Sequence, residues 1–133
     1  MIRVLLVENH GAFRRGISAL LRRAGLVVLA EVEDAAEALR LLPKLLPDVV
    51  VLDYSLPGMN GIDAARAIRR LDKGARLVLL TAHGEAPHRC QACRAGVCGY
   101  VLKSRSPEEL VPAICRAASA NDFARAAFGD KRV

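Results

Sequence analysis

The sequence predicts an α/β domain: a doubly wound, five-stranded parallel sheet with helices on both faces. Three observations point there. Short aliphatic runs recur at residues 2–7, 26–32, 49–52, 77–80 and 97–102. Segments with helical spacing of apolar residues lie between them. The composition supplies an aliphatic core, with 53% hydrophobic residues but only 4% aromatic and no Trp. Runs this short and this apolar suit strands buried on both faces, as in a parallel sheet. Alternation of strand and helix with right-handed crossovers then covers both faces.

The helices follow in order. Phe13, Ile17, Leu20, Leu21 and Ala24 form one stripe, and Gly25 ends it. Ala35, Ala38, Leu39 and Leu42 form a second stripe behind Asp34, a good N-cap. Ile62, Ala65, Ile68 and Leu71 form a third. Pro87 opens a fourth helix that reaches about Ala95. Ser106-Pro107-Glu108-Glu109 opens a fifth, with Ser106 as N-cap and Glu109 closing a capping box. Two prolines oppose regular helix. An early end or kink is expected at Pro43 and a bend near Pro112, because each removes a backbone donor and crowds the preceding turn.

The 133 residues fit one domain, expected over residues 1–120, with 121–133 as a tail or linker stub. No apolar run reaches the ~20 residues of a membrane span. The opening run meets Glu8 too early for a signal peptide. A cytoplasmic location is therefore expected, with no membrane contact. The four cysteines (Cys90, Cys93, Cys98 and Cys115) crowd the last third and read as thiols rather than a disulfide framework. The net charge of +6 comes from arginines scattered along the helices, without a basic run interleaved with aromatics. They read as solvated outer faces.

Ligands of open parallel sheets bind beyond the carboxyl ends of the strands. Here those ends carry Glu8-Asn9-His10, Asp53, Thr81-Ala82-His83 and Lys103. Two acids, a hydroxyl and an amine thus converge on one edge. Carboxylates of this kind suit a hard cation such as Mg²⁺. A lysine supplies a point charge for an anion such as a phosphoryl group.

Four segments carry a more specific likeness. They are Val4-Leu5-Leu6-Val7-Glu8-Asn9-His10, Asp48 through Gly61, Leu77-Val78-Leu79-Leu80-Thr81-Ala82, and Gly96 through Lys103. In this order and spacing, the chain from Met1 to about Ser119 resembles the receiver domains of bacterial two-component response regulators. His10 with Phe13-Arg14-Arg15-Gly16 is similar to the LuxR/NarL-type subfamily, whose members usually continue into a helix-turn-helix domain.

The resemblance implies a flavodoxin-like strand order, 2-1-3-4-5, and a role for each matching residue. Asp53 would be the phosphoacceptor, taking phosphoryl from a sensor histidine kinase. Mg²⁺ would be held by Glu8, Asn9, Asp53 and the Ser55 carbonyl. Lys103, Thr81 and Ala82 would bind the phosphoryl group, and Tyr100 would follow Thr81 inward. That motion would repack the face of helix four, strand five and helix five. The domain would act as a switch rather than an enzyme in its own right. A homodimer is one partner the family admits. DNA would be reached only through an output domain outside this chain; a single-domain regulator acting by protein contact is the other form.

One departure stands out. Asn9 occupies a position where the family usually has a second acid. With Glu8, Asn9, Asp53 and Lys103 counted, the formal site charge is −1 rather than −2. Weaker Mg²⁺ binding and slower phosphorylation are expected. Asn9 also sustains a competing reading, a phosphorylation-deficient pseudo-receiver used for protein interaction or dimerisation. A small Mg²⁺-dependent phosphatase is a third class, but it would need a general acid or base beside the nucleophile, and Tyr54-Ser55 supplies none.

His88-x-Cys90-x₂-Cys93-x₄-Cys98 has zinc-like elements but lacks a second well-spaced ligand pair. Cys90 and Cys93 are expected to face the core from helix four. His10 and His83 border the predicted site, either tuning access to the phosphate or simply exposed.

Overall fold

The chain alternates strand and helix five times. The computed structural model describes the backbone of residues 1–128 and the side chains of residues 1–119. The strands are β1 (Arg3–Val7), β2 (Val27–Val32), β3 (Val49–Asp53), β4 (Leu77–Thr81) and β5 (Val97–Leu102). All neighbouring pairs are parallel, in the order β2-β1-β3-β4-β5. The helices are α1 (Gly11–Arg23), α2 (Ala35–Leu45), α3 (Gly61–Leu71), α4 (Ala86–Arg94) and α5 (Leu110–Phe128).

Side chains alternate across each strand, so the central strands feed two aliphatic layers. Leu5, Val7, Val50 and Leu52 pack under α2, α3 and α4. Val4, Leu6, Val49 and Val51 pack under α1 and α5. Each fully buried Leu or Val stabilises the fold by about 1.5–3 kcal/mol relative to exposure. Among the described residues, no helix is long and apolar enough to cross a membrane.

Local signals act as the sequence predicts at several ends. The Asp34 carboxylate accepts the Glu37 N–H at 2.8 Å and caps α2. Gly25, with φ +88°, turns the chain after α1. Pro43 does not stop α2 at once. The helix runs two residues further and ends at Leu46, a non-glycine residue with φ +49°. Arg3 holds that end by donating to the Leu45 and Leu46 carbonyls at 2.8 and 2.9 Å.

Three expectations are corrected. No capping box forms at Ser106: its hydroxyl pairs with Glu108, and residues Pro107–Glu109 make a 3₁₀ turn. The α-helix therefore starts at Leu110, which puts Pro112 in its first turn, where no amide partner is required. Pro112 therefore stands near the start of the helix and not in its interior. Third, Cys90 and Cys93 are exposed, as are Cys98 and Cys115, and all four are free thiols. The inward stripe of α4 runs instead through His88, Ala92 and Ala95, the last following its final residue. Cys90 and Cys93 lie on the opposite, exposed face of the helix. The α5 backbone continues through Phe128, past the boundary expected at residue 120; residues 129–133 lie outside those described.

Gly61 opens α3 directly against β3. A Cβ there would collide with the Asp53 carbonyl oxygen and sit 2.8 Å from Tyr54 Cα. Both obstacles are backbone and cannot rotate away. Gly61→Ala is expected to destabilise the domain by about 1–3 kcal/mol, read from denaturant unfolding. An unchanged midpoint would show that α3 does not press on the end of β3.

Candidate functional site

Strand order reverses between β1 and β3, which opens a crevice at their carboxyl ends. Glu8 follows β1 and Asp53 ends β3, and both are fully buried. Lys103, just after β5, reaches across to them. Its Nζ lies 2.8 Å from Asp53 Oδ2 and 3.2 Å from Glu8 Oε1. The ammonium also stands 5.0 Å from the centre of the Phe13 ring, which steadies it from α1.

The remaining oxygens are held by the backbone. Asp53 Oδ1 accepts the Ser55 N–H at 3.2 Å. Glu8 Oε2 accepts the His10 N–H at 3.0 Å and meets His10 Nδ1 at 3.0 Å. His10 Nδ1 is also 3.8 Å from Asp53 Oδ2. Asn9 lies half-buried between Glu8 and His10.

Burial and the neighbouring Glu8 carboxylate raise the pKa of Asp53 above the ordinary value, against the pull of Lys103. Burial also acts to raise Glu8. Its position beside Asp53, which takes the proton first, the hydrogen bonds with His10 and the charge of Lys103 outweigh burial and hold it below the ordinary range. The Asp53 carboxylate is thus the less comfortable of the two charges.

Glu8 Oε1 and Asp53 Oδ2 are buried and receive no directed hydrogen bond. Lys103 Nζ is the cationic partner of both, at 2.8 and 3.2 Å. Glu8, His10 and Asp53 also form the one group of three or more metal-ligating side chains that converges among the described residues, with ligand atoms within 4.8 Å of one another. Two hard oxygens with spare capacity and a nitrogen at its mouth fit a divalent cation such as Mg²⁺. His10 was placed only at the border by the sequence, and the structure brings it into the cluster.

Thr81 and Tyr100 belong to a second, adjoining cluster turned toward α4. The buried Thr81 hydroxyl accepts the His83 N–H at 3.0 Å and lies 3.3 Å from His88 Nε2. Tyr100 donates its hydroxyl to the His83 carbonyl. The His88 ring packs edge-on to Tyr54, with centroids 4.6 Å apart. Ala82 is exposed at the start of the β4–α4 loop, and Ser55 is exposed beyond Asp53. In sequence His88 stands out only through the cysteine motif, and among the described residues those cysteines do not converge with it on a metal-binding geometry.

A family model, the response regulator receiver domain, matches residues 4–115. This chain belongs to that family. It is 38% identical over 122 residues to the probable transcriptional regulatory protein NarL of Mycobacterium tuberculosis, covering 91% of this chain and 56% of that protein. It is 36% identical to the response regulator UvrY of Escherichia coli over 115 residues, covering 86% and 53%. The receiver domain thus spans about half the length of these curated relatives.

Solved structures agree. A LuxR-family response regulator from Aurantimonas superposes with a TM-score of 0.85 at 43% identity, covering 90% of this chain and 86% of that one. The receiver domain of M. tuberculosis NarL superposes at 0.82 with 37% identity, covering 89% and 96%. The receiver is therefore a phosphorelay switch module related to LuxR/NarL-type regulators, with an acidic and histidine cluster at the expected sheet edge.

The raised Asp53 pKa sets a pH-dependent penalty. Above that raised value Asp53 is charged in both folded and unfolded chains, and the folded state bears the burial. Below the ordinary carboxylate value it is neutral in both, and the penalty is gone. Asp53→Asn is therefore expected to raise the thermal midpoint by a few degrees at pH 7, with the gain shrinking as pH falls through the carboxylate range. A gain independent of pH would refute this.

Proposed function

We propose that Asp53 accepts phosphoryl from a histidine kinase and that the resulting charge is read by Lys103, Thr81 and Tyr100. The observation that carries the reading is the burial of Glu8 and Asp53 side by side under Lys103, with one oxygen of each lacking a directed hydrogen bond. A carboxylate so placed is a nucleophile held by a strand end, with Lys103 covering the oxygen that would attack. Oδ2 attacks phosphorus, and the bond from phosphorus to the donor imidazole breaks. Lys103 shifts from pairing with the carboxylate to pairing with a phosphoryl oxygen. Glu8, Asp53, the Ser55 carbonyl and the Asn9 amide oxygen would hold Mg²⁺, which when bound offsets the charge gathering on the transferring group.

Asn9 removes one negative charge from that set. Lys103 already compensates much of the remainder. Both features support weak Mg²⁺ binding, and they also favour the second reading, a pseudo-receiver that acts by contact alone. The domain, over about residues 1–120, would relay its state through the face of α4, β5 and α5. The regulatory proteins it resembles suggest transcriptional control through an output domain outside this chain. A sensor kinase, and a second copy of the receiver, are its proposed partners in the cytoplasm.

Incubation with Mg²⁺ and acetyl phosphate should add one phosphoryl group to the intact mass, and Asp53→Ala should abolish it. No increment in the parent, with rescue by Asn9→Asp, would favour the pseudo-receiver. In calorimetry, Asn9→Asp should tighten Mg²⁺ binding by roughly an order of magnitude, since it adds a charge within a few ångströms of the ion. Equal affinities would remove the role given to Asn9.

A further inference from the structure

The Thr81 hydroxyl has one proton to give. The oxygen already accepts the His83 N–H at 3.0 Å. His88 Nε2, at 3.3 Å, lies within reach of that proton, with the Tyr100 hydroxyl also nearby. Thr81 is fully buried, so water does not take that proton instead.

His88 is held for this purpose by its surroundings. It starts the inward stripe of α4, half-buried. Tyr54 meets its ring edge-on at 4.6 Å, the His83 ring lies 5.1 Å away and the Tyr100 ring 5.9 Å away. Burial, then the neighbouring His83, lower its pKa, which keeps the imidazole neutral and one ring nitrogen bare. The His83 peptide ties the arrangement together. Its N–H binds Thr81 and its carbonyl accepts the Tyr100 hydroxyl.

We infer that His88 is a positioning residue that competes with the phosphoryl group for the hydroxyl proton of Thr81, and so biases the switch toward its resting arrangement. The inference rests on the reading of Asp53 as acceptor and Thr81 as phosphoryl ligand. Thr81 cannot donate one proton to both. Moving it toward Asp53 leaves the half-buried His88 nitrogen without its partner. It also frees the His83 peptide, and with it the contact that holds Tyr100. The link from the acceptor to the β5 face thus passes through the β4–α4 loop, with His88 of α4 setting its resting state.

The test uses the full chain with Mg²⁺ and beryllofluoride, a phosphoryl mimic, measured by calorimetry. His88→Phe keeps a ring against Tyr54 but removes the acceptor. It should tighten binding roughly three- to tenfold, the worth of one hydrogen bond. His88→Gln, which restores an acceptor, should return binding toward the parent. In a Thr81→Val background the His88→Phe gain should vanish. Nitrogen NMR of the parent should show His88 protonated on Nδ1, with Nε2 shifted by Thr81→Val. An Nε2–H tautomer would overturn the proposal. So would a His88→Phe gain that survives Thr81→Val, or no gain in the parent. No binding by the parent or Asn9→Asp beyond that of Asp53→Ala would instead overturn the acceptor reading, and the proposal with it.

Discussion

The structure depends on one ammonium group. Lys103 Nζ lies within 3.2 Å of two buried carboxylates that would otherwise repel each other at the end of an aliphatic sheet. Removing one partner from such a group leaves an uncompensated buried charge, commonly worth several kcal/mol. The surrounding architecture serves that contact. β1 and β3 are adjacent in the sheet, so Glu8 and Asp53 emerge side by side. β5 delivers Lys103 from two strands away, and the Phe13 ring steadies its head. Gly61 lets α3 press against the backbone of Asp53 itself.

This compensation is incomplete in a useful way. One ammonium faces two carboxylates, which leaves the pair one negative charge in excess, and Glu8 Oε1 and Asp53 Oδ2 lack directed hydrogen bonds. The edge is therefore stable enough to fold and open enough to accept a cation and a phosphoryl group. Beside it, Thr81, His83, His88 and Tyr100 form a hydrogen-bonded cluster that faces α4 rather than the acceptor. In the proposed switch, charge would be handled at one cluster and its transmission at the other, with Thr81 as the group that changes sides.

The sheet was readable because each strand is a short aliphatic run buried on both faces. All five strands fall within a residue of where those runs begin and end. Glu8, Asp53 and Lys103 were equally readable, since residues at strand ends in a parallel sheet must share an edge. Other features depend on which way a helix turns. α4 is short and weakly amphipathic, so its inward face could not be told from sequence, and Cys90 and Cys93 proved exposed. The stripe through His88, Ala92 and Ala95 has the right spacing, but one histidine and two alanines give little hydrophobic signal. His10 reaches the acid pair through a two-residue turn whose geometry no periodicity encodes. At Ser106 the capping signature was present, and a local pairing with Glu108 displaced it.

The most direct test of the central contact is a double-mutant cycle on stability, read by denaturant unfolding at pH 7 without added metal. Lys103→Met should destabilise the parent markedly, because both carboxylates are left without a counter-charge. In an Asp53→Asn background the same substitution should be far less damaging. Equal losses in both backgrounds would mean that Lys103 does not compensate the buried pair, and the electrostatic account of this site would fail.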